Sequence, residues 1–142
     1  MKKKRNLFFV RILLFSGILA ITMNPAQAQK KEVKIFVNTD LEGISGVYKF
    51  AQTREKDTPL NIKACEYFMG DLAAVIHGLR DGGATEVIVL DGHGNQAVIP
   101  HLMDPGATWL TGQPKRGRVF DSTFVGMCLI GFHAMNGTPD GV

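Results

Sequence analysis

Cysteine is scarce. The 142 residues contain two, Cys65 and Cys128, and no C-x-x-C pair. That excludes a small disulfide framework and a thiolate-based structural zinc site. Charged side chains make up only 20% of the chain against 45% apolar ones, which is not the composition of a disordered segment. No Gly-x-Ser-x-Gly elbow occurs, and neither cysteine comes with the signature of an acyl-enzyme thiol. Gly92-His93-Gly94 lacks the third glycine of a dinucleotide fingerprint, and no acid follows at the required distance. Internal repeats, low-complexity tracts and linkers are also missing, and the length suits one domain.

What is present begins with a misleading charge. The sequence carries 16 basic and 13 acidic side chains, a net +3. Five of the basic residues, Lys2, Lys3, Lys4, Arg5 and Arg11, stand at the front, ahead of the apolar run from Ile12 to Met23. Ala26-Gln27-Ala28 then supplies a small-x-small cleavage site. Basic region, short apolar region and cleavage site together read as a secretory signal peptide over residues 1–28. The apolar run is short of the ~20 residues of a comfortable membrane span. No cysteine follows the cleavage site, so no lipid anchor is expected. The expectation is a secreted or periplasmic protein, free of the membrane once the leader is removed. Residues 29–142 retain 11 basic and 13 acidic side chains, a net −2. No Lys/Arg stripe with interleaved aromatics survives, so no nucleic-acid partner is expected.

Val33-Lys34-Ile35-Phe36-Val37-Asn38 alternates and predicts a strand over 33–38. A glycine-bearing acidic loop follows from Thr39 to Gly46. From Leu60, apolar residues recur at Ile62, Cys65, Met69, Leu72, Ile76 and Leu79, the spacing of an amphipathic helix. Thr58-Pro59 starts it and Gly82-Gly83 stops it. Val87-Ile88-Val89-Leu90 is an unbroken apolar run, as in a strand buried on both faces. A weaker strand is predicted over 107–111 and a stronger one over 127–132. Strand, helix and buried strands in this order predict an α/β fold, a three-layer αβα domain with a mainly parallel sheet. The close at Thr138-Pro139-Asp140-Gly141-Val142 is loop chemistry, so the domain over 29–142 is expected to be incomplete at its carboxyl end.

Three strand ends carry metal-capable side chains: Asp40 and Glu42 after the first, His93 after the second, His133 after the last. Ligands of open parallel sheets bind outside the carboxyl ends of the strands, which brings these four residues to one edge. Two carboxylates with two imidazoles suit Zn²⁺ or Mn²⁺ better than copper or an iron–sulfur cluster. Gly43, Gly92 and Gly94 let backbone approach a ligand and permit positive φ. Taken singly, each feature has a bland reading: Asp91-Gly92 is a common turn, a histidine after a strand is usually a loop residue, and a carboxylate pair is usually solvated. Their joint occurrence at three strand ends favours the metal. His77 and His101 read as surface histidines, Cys65 and Cys128 as buried thiols, and Trp109, Phe36, Phe68 and Phe132 as core.

The run Asn38-Thr39-Asp40-Leu41-Glu42-Gly43-Ile44-Ser45-Gly46-Val47 resembles the D-x-E-G-[IV]-x-G-V opening of D-aminopeptidases of the dipeptide-transport-operon type, which are zinc metallopeptidases. Gly83-Ala84-Thr85-Glu86-Val87 leading into Asp91-Gly92-His93-Gly94 is similar to that family's second block, where serine often replaces Gly92. Gly131-Phe132-His133-Ala134-Met135 with Gly137-Thr138 is similar to its third. The resemblance covers residues 33–142. It implies two zinc ions per subunit, a bridging Asp40, and Glu42, His93 and His133 as further ligands. It implies removal of N-terminal D-residues, typically D-alanine, from short peptides, by a homo-oligomer built as a decameric ring. The family's further glutamate ligand and its catalytic histidine come after the third block, so both are expected beyond Val142. Together with export, the resemblance implies D-peptides released from cell wall as substrates. The reading from a different class is a non-catalytic metal-dependent peptide- or small-molecule-binding protein, or an inactive truncated fragment.

Overall fold

In the computed structural model, residues 31–94, 96–112 and 120–141 are described. The leader expected over 1–28 lies outside them. Among the described residues no helix is long and apolar enough to cross a membrane.

The alternating segment forms β1 (Lys34–Thr39). Its Val37 and Thr39 are fully buried on one face, and Phe36 is buried on the other. A short helix that periodicity did not announce follows, α1 (Phe50–Arg54). The Gln52 side chain organises its start, its Oε1 accepting from the Tyr48 and Lys49 N–H groups, both at 2.9 Å. The long helix α2 (Pro59–Asp81) begins where Thr58-Pro59 indicates. The Thr58 hydroxyl accepts from Asn61 N–H at 3.2 Å, an N-cap, and proline occupies the first turn, where its missing N–H is not needed. Gly83 ends it with φ +99°, a conformation glycine adopts without strain.

The buried stripe of α2 is Ala64, Cys65, Phe68, Met69, Leu72 and Ile76. Ile62, expected on that stripe, is 49% exposed. The buried position of the first turn goes instead to Asn61, whose Nδ2 donates to the Gln52 carbonyl at 2.8 Å and ties α2 to α1. A polar tie has displaced an apolar contact there.

The remaining strands are β2 (Glu86–Asp91), β3 (Thr108–Leu110) and β4 (Gly126–Ile130). The sheet order is β3-β2-β1-β4 and every pair is parallel. Parallel neighbours need long crossovers, and α2 is the crossover between β1 and β2. The α/β class and the parallel sheet agree with the expectation. Val37, Val87 and Val89 meet the buried face of α2 to form the core. On the other face Phe36 packs against Phe120 and Phe124, with ring centroids 5.5 and 5.4 Å away.

Phe36 and Phe68 are core residues as expected, and Trp109 is partly buried with its indole N–H donating to the Asp104 carbonyl at 3.0 Å. Phe132 is not core: it is 42% exposed, because β4 ends at Ile130 and Gly131 turns the chain out of the sheet at φ +72°. Cys65 is buried and free, while Cys128 is free but only half-buried on β4, an edge among the described strands.

The register sets the geometry of the edge. Thr39 pairs with Asp91 on one side and with Ile130 on the other. The segments after β1, β2 and β4 therefore leave the sheet at one level.

Candidate metal centre

Asp40 follows β1 directly. Its N–H donates to the Ile130 carbonyl at 2.8 Å, and the Gly43 N–H donates to Gly131 at 2.8 Å. The acidic loop is thus stitched to the end of β4. Between these two bonds the chain makes a tight turn that buries Leu41 completely and points Glu42 inward, 4% exposed. His93 leaves β2 two residues after its last member, Asp91.

These three side chains meet. One ligand-capable atom from each of Asp40, Glu42 and His93 lies within 4.8 Å of the others. His93 Nδ1 is 2.9 Å from Asp40 Oδ1 and 3.4 Å from Glu42 Oε2. His133 stands further out. Its Nε2 is 3.9 Å from Asp40 Oδ2, its side chain is 57% exposed, and its Nδ1 contacts the Ala134 carbonyl at 2.7 Å. Four residues anticipated at one edge are at one edge, three in a tight cluster and His133 at its rim.

The His93 ring is oriented from behind. Its Nε2 lies 3.0 Å from the Thr53 carbonyl of α1. A carbonyl only accepts, so Nε2 carries the hydrogen and Nδ1 is the atom turned towards the two carboxylates. The loop itself hangs on Asp91, which is fully buried. Asp91 Oδ1 accepts from His93 N–H at 3.1 Å, and Oδ2 from the N–H groups of Ala97 and Val98 and the Thr111 hydroxyl, each at 3.4 Å. Asp91 is therefore more than the first residue of a turn.

The carboxylates differ. Burial pushes the Asp40 carboxyl up, but interactions with His93 and Glu42, the Leu41 N–H and the charge of the His93 ring together hold it below the ordinary carboxylate range. Both oxygens of Glu42 are buried and neither has a hydrogen bond. Arg54 Nη2 approaches Oε1 at 3.2 Å, an ion-pair distance without hydrogen-bond alignment. A buried carboxylate left so costs about 1–3 kcal/mol or more. A cation between Asp40, Glu42 and His93 Nδ1 would remove that penalty, and mixed oxygen and nitrogen donors suit zinc. The residues present fit a metal.

The glycines act differently from expectation. Only Gly94 among the three anticipated has positive φ, at +62°. A Cβ on Gly92 would strike the Thr39 carbonyl, and one on Gly43 would come within 2.6 Å of the Phe132 carbonyl. These two bring strand ends together rather than backbone to a ligand. Gly131 does the same from β4, where a side chain would collide with the Asp40 carbonyl.

A cavity of about 420 Å³ opens over the cluster, lined by Asp40, Thr53, Arg54, Gly92, His93, Gly94, Gln96 and His133. That lies within the roughly 300–1,000 Å³ of small-ligand sites. A separate cavity of about 270 Å³ borders Cys65 and His101 and shares Gln96 with it. The Cys65 thiol is pushed up by burial and by the negative charge of Asp91 and Asp57, so it is a poor nucleophile. His101 is exposed, and His77 is an exposed partner of Asp104 at 2.7 Å. Both are surface histidines, as expected. Sequence reasoning missed Thr53 and Arg54 because a five-residue helix has no measurable periodicity.

Fold and donors together define an α/β protein with a carboxylate–imidazole cluster, able to hold a metal, at the carboxyl edge of its sheet. The family model described as D-aminopeptidase matches residues 33–142, and the chain belongs to that family. Among solved structures it is similar to the zinc-dependent D-aminopeptidase DppA of Bacillus subtilis, described as a self-compartmentalizing protease, with a TM-score of 0.67 and 25% identity. The match takes in 78% of this chain and 41% of that one, so this chain spans under half the length of that structure. No curated protein matches.

Proposed function

We propose that residues 29–142 are the metal-holding amino-terminal part of an exported zinc aminopeptidase that removes N-terminal D-amino acids, D-alanine foremost, from short peptides. Membership of the D-aminopeptidase family supports the reaction class. The observation that carries the metal is Glu42: a buried carboxylate with no hydrogen bond, beside Asp40 and His93. Export rests on the leader-like residues 1–28. Release from the cell is what makes cell-wall D-peptides the natural substrates in this reading.

Asp40, Glu42 and His93 would hold zinc, with His133 joining from the rim. Bound zinc lowers the pKa of a coordinated water and polarises a carbonyl. The chain's own residues prepare the ground for this. The Thr53 carbonyl keeps the His93 hydrogen on Nε2 and frees Nδ1 for the metal. Asp91 fixes the loop on which His93 stands. The low Asp40 pKa keeps that carboxylate ionised and available. A further glutamate and a catalytic histidine are assigned to the portion beyond Val142. Assembly into a closed ring, ten subunits in this reading, would restrict entry to small peptides; the self-compartmentalizing character of DppA supports it.

The test is made on the full-length gene product. It should contain two zinc ions per subunit by plasma emission, and D-Ala dipeptides should be hydrolysed far faster than L-Ala dipeptides. His93→Ala should lower the zinc content. Equal rates on both stereoisomers sink the D-specificity. Zinc binding without turnover of any peptide supports the metal-dependent binding protein instead.

A further inference from the structure

We infer that Arg54 is the specificity residue that binds the free C-terminal carboxylate of a short peptide in this site; the inference rests on the peptidase reading above. The cavity over the donors is lined by acidic, imidazole and neutral groups, and by one guanidinium, that of Arg54. Its side chain is 54% exposed while its Nη2 reaches the buried Glu42, so it borders both solvent and the donor cluster. The guanidinium is steadied from below by the Phe50 ring, with Cζ 5.4 Å from the centroid. Its approach to Glu42 Oε1 at 3.2 Å lacks hydrogen-bond alignment. His93 faces the other oxygen of Glu42, Oε2, so Oε1 engages only Nη2 of Arg54 and leaves the rest of its planar donor fork for a ligand. A planar carboxylate is what that fork matches best.

Arg54 Nη2 is 3.2 Å from Glu42 Oε1, an oxygen of one of the donors, so the guanidinium stands close beside the cluster. In a dipeptide a single residue separates the scissile carbonyl from the terminal carboxylate, a reach of about 3.3–3.6 Å along extended chain. Longer peptides place neutral amide at that point and gain nothing from the charge. Arg54 would thus select by length, at the level of one subunit and independently of any restriction from assembly.

The experiment compares two D-Ala dipeptides, one ending in carboxylate and one in carboxamide, on the full-length zinc-loaded protein. Calorimetry on their uncleavable analogues, with the peptide bond reduced to CH₂–NH, gives a readout independent of turnover. The wild type should favour the carboxylate form by about tenfold in KM and in Kd. Arg54→Gln should erase that preference, costing the carboxylate form about tenfold more than the carboxamide form, and Arg54→Lys should restore part of it. A wild type indifferent to the terminal group overturns the inference. So does an Arg54→Gln variant that loses equally on both substrates or loses zinc, because Arg54 would then act through Glu42. If neither dipeptide is cleaved, the peptidase reading fails, and the two analogues still decide whether Arg54 recognises carboxylate.

Discussion

Asp40 shows how a single side chain couples stability to pH. Its carboxyl is held below the ordinary range despite burial, which opposes it. A depressed folded-state pKa contributes stability that is present above the unfolded pKa of about 3.9 and is lost as pH falls through the lower folded value. The metal-free protein should therefore lose stability on acidification below about pH 4, and Asp40→Asn should flatten that part of the curve. Denaturant midpoints measured between neutral and strongly acid pH check this; a variant that tracks the wild type throughout would remove Asp40 from the account. Glu42 is the complementary case. Its cost is an unsatisfied carboxylate in a buried place, and among the described residues only the neighbouring donors and Arg54 come near it.

At the level of elements, the site depends on how loops are tied to strands. Residues 92–94 and 96–98 lie in no helix or strand, and Asp91 gathers His93, Ala97, Val98 and Thr111 onto its two oxygens. Asp91→Asn keeps the shape but replaces one acceptor oxygen with an amide donor. We expect a loss of about 1–3 kcal/mol in stability from a miswired buried group. Zinc affinity should fall by about 10–100-fold, the usual effect of disturbing the support of a metal-binding histidine. Competition with a chromogenic chelator measures the second quantity, and unchanged affinity would show that the loop holds His93 without Asp91. The helix α1 contributes differently: five residues, fastened by Gln52 and Asn61, put the Thr53 carbonyl behind His93 and Arg54 in front of Glu42.

On the scale of the whole molecule, the sheet is covered unevenly. α2 buries one face, whereas on β4 the outward residues Met127 and Leu129 are 48% and 57% exposed, with Phe132 exposed beyond them. β4 is also an edge of the sheet among the described strands. Contiguous exposed apolar residues on an edge strand favour association. A chain of residues 29–142 should show concentration-dependent association by sedimentation velocity, and Met127→Lys combined with Leu129→Glu should reduce it. An unchanged distribution for the double variant would place the contact elsewhere.

The period of two in 33–38, the 3–4 spacing along α2 and the unbroken apolar run before Asp91 were enough to define an α/β order. Carboxylate and imidazole residues at three strand ends then marked the edge where a metal would sit. These signals are local, because secondary structure follows the spacing of apolar side chains. Three things were not local. Phe132 was misjudged because its burial depended on where Gly131 turned the chain. Gly43 and Gly92 had their role assigned to a ligand, since nothing in the order of residues reveals that another strand's backbone will lie against them. Thr53, Arg54 and the full part played by Asp91 became visible only once chain segments about 40 residues apart, α1 and the His93 loop, were packed together. A ligand's residue type is written along the chain, but its supporting hydrogen bonds come from whichever segment the fold brings alongside.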